Sequence, residues 1–236
     1  MKKYMLLSCL MVAVSCSLAS AEPLLFDTVY TRDAKVKDLV SFEVKNETGQ
    51  LLSAGRLLNG KKEGVFRVYN SKNTILTIQE FHNDLPDGIF LRFGDNGSLD
   101  TEEIYKNGKL NGRRVQYRFG GIKRSEDHFT DGKLDGLKTV YYDNGFKQEE
   151  AYYKNGLRDG ISKWYNQSEI VTIEYQYKNG LLDGPARTFF FNGKVQLEGT
   201  YVNDLEEGEW KSYDDSGTLL KTITYQKGKI IKEVTY

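Results

Sequence analysis

The sequence predicts an all-β fold, a single-layer elongated antiparallel sheet built from tandem 24-residue β-hairpin repeats. From Leu57 onward the chain can be set in rows of 24 residues without an insertion or a deletion. The first column of these rows is aromatic in seven of eight rows, and the eighth column is glycine in seven successive rows. A repeat with a period of roughly 20 to 50 residues predicts a stacked array.

The first 21 residues, 1–21, have the pattern of a signal peptide. Lys2 and Lys3 precede an apolar run from Tyr4 to Leu18, and the small residues Ala19–Ala21 follow it. This order is typical of a secretory leader. The run is shorter than the roughly 20 apolar residues that span a bilayer. We therefore expect export to the periplasm or the extracellular space, with no transmembrane segment in the mature chain.

Both cysteines of the chain, Cys9 and Cys16, lie in this leader. Cleavage after Ala21 leaves 215 residues without a thiol. Disulfides, thiolate metal sites and a cysteine nucleophile are then excluded. An alternative is a lipid anchor at Cys16, because the residues from Ala13 to Cys16 weakly resemble a lipoprotein cleavage box.

Residues 22–56 precede the regular rows and are expected to form a lead-in and a degenerate capping repeat. Glu22 to Thr31 shows no repeat signal and is read as a lead-in or a first edge strand. Leu39 to Arg56 alternates partly like a strand, and Gly49 is in register with a glycine of the later rows. Terminal repeats of an array are usually atypical because they close the stack.

Residues 57–224 form seven full rows, and residues 225–236 form a C-terminal half repeat. The third row shows the pattern, with Tyr105 in column one, Asn107-Gly108 and Gly112 as a first turn signal, and Tyr117 in column thirteen. Asn, Asp and Gly tolerate positive φ, so these positions are assigned to turns. The same columns hold Gly136, Tyr141, Gly160, Tyr165 and Gly184 in later rows.

A second turn signal, such as Asp143-Asn144-Gly145, follows column thirteen, and it is of the kind that closes hairpins. The runs between turns are too short for stable helices and are rich in Tyr, Phe, Thr, Val and Ile, which favours strands. Each row is therefore expected to be one β-hairpin. About sixteen strands would extend on the order of 75 Å at about 4.8 Å per strand.

These columns resemble the MORN repeat, and more closely the bacterial MORN-variant repeat, whose proteins are often grouped under an antitoxin family name. The resemblance covers Leu57 to Tyr236. It implies a single-layer array of hairpins that serves in binding, without a family-wide enzymatic activity. Asp84 and Asp204 replace the first turn glycine, and Asn73 and Glu169 replace the second, so these rows are expected to turn differently.

No group of residues predicts catalysis, a metal site or a cofactor. Column twenty-two holds five glutamates, but an active site is one asymmetric group of residues rather than the same residue repeated. We therefore expect these carboxylates to accept hydrogen bonds from neighbouring turns or to pair with nearby Lys or Arg. His82 and His128 lie in different columns, which argues against a shared metal site. The glutamates are Glu102, Glu126, Glu150, Glu174 and Glu198.

Candidate partner-binding residues are those that differ from row to row. Trp164 and Trp210 break the columns that they occupy. Basic residues crowd into the third row, although its carboxylates offset part of that charge and the near-neutral chain argues against nucleic acid. If columns one and thirteen face the same side of the sheet, their rings would border an exposed groove. The basic candidates are Arg113, Arg114, Arg118 and Arg124.

The sequence thus predicts a secreted or periplasmic, non-enzymatic repeat scaffold that binds a macromolecular partner along its sheet. A protein is the favoured class of partner. A cell-wall or carbohydrate-binding array is the alternative, although such arrays are richer in Trp than this chain. Neutralisation of a cognate toxin is a minor alternative that fits an exported chain poorly. Open terminal strands also allow self-association through their edges.

Overall fold

A computed structural model describes residues 27–236, which form one antiparallel sheet of 20 strand segments. The predicted leader, including Cys9 and Cys16, lies outside the described residues. The segments are β1 Asp27–Arg32, β2 Leu39–Lys45, β3 Leu51–Leu58, β4 Lys61–Lys62, β5 Gly64–Tyr69, β6 Ile75–His82, β7 Leu85–Phe93, β8 Leu99–Lys106, β9 Lys109–Tyr117, β10 Lys123–Thr130, β11 Lys133–Leu134, β12 Gly136–Tyr141, β13 Lys147–Lys154, β14 Leu157–Tyr165, β15 Val171–Lys178, β16 Leu181–Phe189, β17 Val195–Val202, β18 Leu205–Tyr213, β19 Leu219–Gln226 and β20 Lys229–Thr235.

When β4 with β5 and β11 with β12 are each counted as one strand, each strand pairs with the next one along the chain, and the sheet does not close on itself. The pair β4 and β5 is one strand interrupted at Glu63, and β11 and β12 are one strand interrupted at Asp135. The predicted all-β, single-layer hairpin array is therefore confirmed. The strand number is higher than expected, because the lead-in forms β1 and the half repeat adds β20. No helix among residues 27–236 is long and apolar enough to cross a membrane.

The first turn of each row is a two-residue hairpin loop. In the third row Asn107 and Gly108 have φ of 49° and 79°, and the flanking residues Lys106 and Lys109 pair with each other. Two successive positive φ values are those of a type I′ turn, which suits the twist of a hairpin.

The rows with aspartate in this turn were expected to turn differently, and that prediction is wrong. Asp84 and Asp204 have φ of 70° and 67°, the same left-handed conformation as the glycines. The carboxylate of Asp84 accepts a hydrogen bond from the amide of Lys62 at 2.7 Å, and that of Asp204 accepts one from Leu182 at 2.7 Å. A hydrogen bond to the preceding row thus offsets the strain of the aspartate backbone.

The second turn also keeps one shape through its substitutions. Gly145 has φ of 86° and donates its amide to Tyr142 at 3.0 Å. Asn73 and Glu169, which stand in the same column, both have φ of 60°. The expectation that these rows turn differently is therefore wrong here as well.

The glycines of column eight lie inside strands and not in the first turn, where the sequence pattern placed them. Gly112 lies in β9 with φ of 124°. Glu103 pairs with Arg114 and Tyr105 with Leu110, so three residues of β9 lie opposite one residue of β8. Such a bulge bends the strand and needs unusual backbone angles, which glycine supplies.

The two faces of the sheet carry different side chains. One face, here called the ring face, carries the side chains of columns one, ten and twenty-three of the 24-residue rows. Its aromatic rings contact each other edge to face, and the ring centres of Tyr201 and Trp210, for example, lie 4.9 Å apart. The other face, the ladder face, carries columns eleven, thirteen and twenty-two. Tyr165 of column thirteen reaches Glu150 there, and Lys163 pairs with Glu150. Columns one and thirteen therefore lie on opposite faces and do not border one groove.

The thin core lies mainly on the ring face. Ala151, Ala186 and Ser162 are at most 1% exposed there. Column ten and column twenty-three complement each other in size, because Trp210 lies over Gly199 and Ala186 lies opposite Tyr175. On the ladder face Val115 is fully buried. A single layer of sheet is thus stabilised by contacts between neighbouring rows.

Candidate functional site: the ladder face

A ladder of ion pairs runs along the ladder face and uses all five column glutamates. Arg113 bridges Glu102 at 3.2 Å and Glu126 at 3.3 Å. Arg187 bridges Glu174 at 3.7 Å and Glu198 at 3.4 Å. Four of the carboxylates are held by a basic side chain of an adjacent strand, and Glu150 is held by Lys147 of its own strand, so each has a basic partner as the sequence led us to expect. These partly exposed pairs contribute little stability individually, typically less than about 1 kcal/mol.

Column-thirteen tyrosines add hydroxyl donors to the same ladder. The Tyr165 hydroxyl donates to Glu150 at 2.5 Å, and the Tyr213 hydroxyl donates to Glu198 at 2.9 Å. Burial and the bond to Glu150 raise the pKa of Tyr165. Burial alone would raise the pKa of Glu150, but hydrogen bonds from Lys147 and Tyr165 outweigh burial and hold that pKa below its usual value.

Exposed apolar side chains form two clusters beside this ladder. Ile89 and Ile104 pair across β7 and β8 and are 49% and 43% exposed. Leu137 pairs with Tyr152, and together with Ile161 they line a cleft of about 240 Å³. The side chains of Glu150 and Lys163 border that cleft. Apolar clusters with a charged border are typical of protein-binding surfaces.

The basic candidates of the third row do not form one patch. Arg113 lies on the ladder face, whereas Arg114 lies on the ring face. Arg114 donates twice to Asp127, at 2.8 and 3.1 Å, and its guanidinium lies 4.6 Å from the centre of the Phe129 ring. Asp127 is 1% exposed. Arg114 therefore neutralises a buried carboxylate.

Arg118 and Arg124 belong to neither of these groups. Arg118 lies at the edge of the sheet formed by the second turns, and Arg124 lies next to that edge. Arg118 donates to the carbonyls of Lys123 and Tyr141 and forms an ion pair with Asp143 at 2.8 Å. Its guanidinium thus ties two neighbouring turns together. Arg124 is exposed, and no ion pair joins it to another residue of the described chain.

The two tryptophans pack on the ring face, which does not fit the partner contact predicted for them. Trp210 is 7% exposed. Trp164 is half-buried, its ring is 5.9 Å from that of Tyr175, and the Arg158 guanidinium lies 5.1 Å above it. Both rings are held by this chain's own residues.

Sequence reasoning missed a column of acids that precedes the column-eight glycines. Asp159 accepts a hydrogen bond from the amide of Asn179 in the next row at 3.1 Å, and Asp135 accepts one from Asn155 at 3.3 Å. The signal was present, since this column is acidic in six of seven rows. It also missed the apolar clusters of the ladder face.

The histidines lie in separate surroundings. His82 contacts Glu63 at 3.1 Å, whereas His128 contacts the carbonyl of Leu137 at 2.9 Å. Within residues 27–236 no group of three or more His, Cys, Asp or Glu side chains is arranged to hold a metal ion.

One comparison with known proteins, against a protein-family model, agrees with the repeat geometry. The model of the MORN repeat variant matches residues 134–155, 158–179, 182–203 and 206–227. No curated protein matches the chain. Among solved structures, a chain of the Tc holotoxin pore of Photorhabdus luminescens matches with 11% sequence identity and a TM-score of 0.25. That match covers 89% of this chain and 14% of the other chain.

The four matched segments repeat with the same 24-residue spacing as the rows of the sequence. Their turns and bulges recur in the rows between Leu57 and Lys133, which the match does not include. The protein is a β-sheet scaffold whose residues 134–227 are four consecutive repeats of the MORN repeat variant.

Proposed function

We propose that this chain is an exported, non-enzymatic scaffold that binds a protein partner on its ladder face. The observation that carries the proposal is the pair of exposed apolar clusters, Ile89 with Ile104 and Tyr152 with Ile161, on a face whose charges pair with each other. Export is supported by the leader pattern of residues 1–21.

The apolar clusters supply exposed apolar surface for such an interface. Tyr152 is 50% exposed and Ile161 is 42% exposed, although both lie in the middle of the array and not at its ends. Tyrosine is enriched among residues that dominate interface energies. Burying these side chains against a partner would remove apolar surface from water, at about 25 cal/mol per Å².

The ion-pair ladder serves such an interface as a polar border. Because each glutamate already has a basic partner, the face presents no strong field of one sign. A protein surface of mixed charge can lie on it without leaving a charge unpaired. The same pairing argues against catalysis, since a general acid or a nucleophile needs one carboxylate in surroundings that differ from those of its neighbours.

The test compares two pairs of substitutions that remove similar apolar surface at different places. The double variant Tyr152→Ala with Ile161→Ala removes the central cluster of the ladder face. The control, Leu157→Ala with Leu181→Ala, removes side chains that are 51% and 42% exposed beside the first turns. A partner is isolated from cell-envelope extract with the unchanged protein, and its dissociation constant is then measured by calorimetry with each variant.

We expect at least tenfold weaker binding with the ladder-face variant and less than a twofold change with the control. Equal weakening in both variants would place the partner elsewhere. Turnover by the protein of any substrate, lost on replacing one glutamate of the ladder, would contradict the non-enzymatic assignment.

A further inference from the structure

A second surface lies on the edge formed by the second turns, away from the ladder face. A cleft of about 300 Å³ opens there between three successive turns. It is lined by Arg118 of the third row, by Tyr142, Asp143, Asn144 and Gln148 of the fourth row and by Gln167 of the fifth row. The volume is at the lower end of the range for small-ligand sites, roughly 300 to 1,000 Å³.

Two side chains of this cleft are held rigidly. Arg118 uses its Nε and both terminal nitrogens on Asp143, Lys123 and Tyr141. The Tyr142 hydroxyl donates to the carbonyl of Tyr165 at 2.7 Å, which fixes its ring. A site whose walls are already ordered loses little entropy when a ligand binds.

Other side chains of the cleft leave their hydrogen-bonding groups free. Gln148 and Gln167 are exposed, and among the described residues no hydrogen bond uses either side-chain amide. Asn144 accepts a bond from the amide of Phe146 through its oxygen, which leaves its NH₂ group to donate. The cleft thus offers several amide donors and two amide acceptors at short range.

The charge of the cleft narrows the chemistry of its ligand. Arg118 and Asp143 pair at 2.8 Å and cancel each other. Each nitrogen of Arg118 already has one partner and its charge is paired with Asp143, so the N–H groups that remain on its terminal nitrogens offer phosphate or carboxylate no unpaired charge. The remaining side chains are uncharged amides and one tyrosine ring, so the cleft matches a neutral ligand rich in hydroxyl groups.

Two exposed aromatic residues are near neighbours of cleft residues in the sequence. Phe146, two residues from Asn144, is 44% exposed, and Phe119, next to Arg118, is 85% exposed. The column of Phe119 holds a second exposed aromatic residue, Phe191, and is polar in the other full rows, as at Asp95, Asp143 and Asp215. Flat apolar rings beside amide groups are suited to a sugar, whose C–H faces are apolar and whose hydroxyls are polar.

We propose that this cleft binds one neutral sugar unit of an oligosaccharide, with Gln148 and Gln167 bonding its hydroxyls. The inference does not depend on a protein partner at the ladder face, because the two surfaces share no residue.

The experiment measures binding to the full chain by calorimetry. Chitotetraose, cellotetraose and maltotetraose serve as neutral probes, and tetragalacturonate serves as the anionic probe. The double variant Gln148→Ala with Gln167→Ala removes the free amides. Gln196→Ala is the matched control, because Gln196 is exposed and occupies in another row the column of Gln148.

We expect saturable binding of at least one neutral probe, at least tenfold weaker with the double variant and changed less than twofold with the control. Circular dichroism should show the same strand content in all three proteins. The proposal is overturned if no neutral probe binds, if tetragalacturonate binds more tightly than every neutral probe, or if the double variant binds as the unchanged protein does.

Discussion

The packing of Trp210 over Gly199 gives a quantitative test of how neighbouring rows stabilise each other. Gly199 lies in β17 opposite Trp210 of β18, and a Cβ atom added to it would lie 2.1 Å from Cδ2 of the indole. Real Cβ atoms essentially never come within 3.0 Å of another heavy atom, so Gly199→Ala must displace the ring. The ring is 7% exposed and also contacts Tyr201 and Tyr225.

The expected free energies follow from these contacts. Gly199→Ala alone should destabilise the fold by about 1 to 3 kcal/mol through overpacking. Trp210→Ala alone should cost about 3 to 5 kcal/mol because it removes a buried aromatic ring. In the double variant the new methyl group enters space that the indole has left. The double variant should therefore cost about the same as Trp210→Ala, which leaves a coupling of about 1 to 3 kcal/mol.

Urea unfolding followed by circular dichroism measures these differences as shifts in the free energy of unfolding. The control combines Gly199→Ala with Trp164→Ala, since Trp164 lies in β14 and contacts Tyr175 and Arg158 instead. That control pair should be additive to within about 0.5 kcal/mol. Additivity in the Gly199 and Trp210 pair as well would refute the packing argument.

Two further predictions concern a turn and the ion-pair ladder. Glu169→Gly should stabilise the fold by about 1 kcal/mol, because a non-glycine residue is held there at φ of 60°. Gly145→Glu at the matching position of the preceding row should destabilise the fold. Urea unfolding measures both changes in the free energy of unfolding. Acid should weaken the fold below about pH 4.5, because two carboxyl groups have a lower pKa in the folded state than in the unfolded state. A hydrogen bond from Lys123 lowers the pKa of Glu126, and hydrogen bonds from Lys147 and Tyr165 outweigh burial and lower the pKa of Glu150. A carboxylate whose pKa is lower in the folded state than in the unfolded state stabilises the fold at pH values above the unfolded pKa, and this stabilisation is lost as the pH falls through the folded pKa. Thermal unfolding of the Glu150→Gln variant should therefore depend less on pH between 5 and 3 than that of the unchanged protein.

The sequence predicted the fold well because turn chemistry and spacing repeat together. Asn107-Gly108 specifies a two-residue turn by local backbone preference alone, and seven equal spacings leave one arrangement of hairpins. The prediction that Gly112 belongs to the first turn was wrong, because its spacing from Asn107 is the same whether the glycine lies in a turn or in a bulge. Pairing with β8, which only the folded sheet shows, distinguishes the two.

The orientation of the faces was harder to predict. Side chains alternate along a strand, but Tyr105 pairs with Leu110 across the two-residue turn, so the columns that share a face with column one on the next strand are the even-numbered ones and column thirteen lies on the opposite face. In contrast, the separation of Arg113 from Arg114 was predictable, because consecutive residues of a strand point to opposite faces. The burial of Trp210 was also readable, since glycine stands opposite an aromatic residue in two rows, at Gly199 and at Gly55 opposite Phe66.

Tandem repeats create a problem of register for any partner that lies along them. Identical rows would let a partner shift by 24 residues and find the same contacts. On the ladder face the two apolar clusters are unequal, because Ile89 with Ile104 forms one and Leu137, Tyr152 and Ile161 form the other. The polar pair of Arg113 and His128 separates them. Under the proposed function, a partner that contacts both clusters would find its complementary surface at one position only, so the departures from the repeat would specify binding while the repeated columns specify the fold.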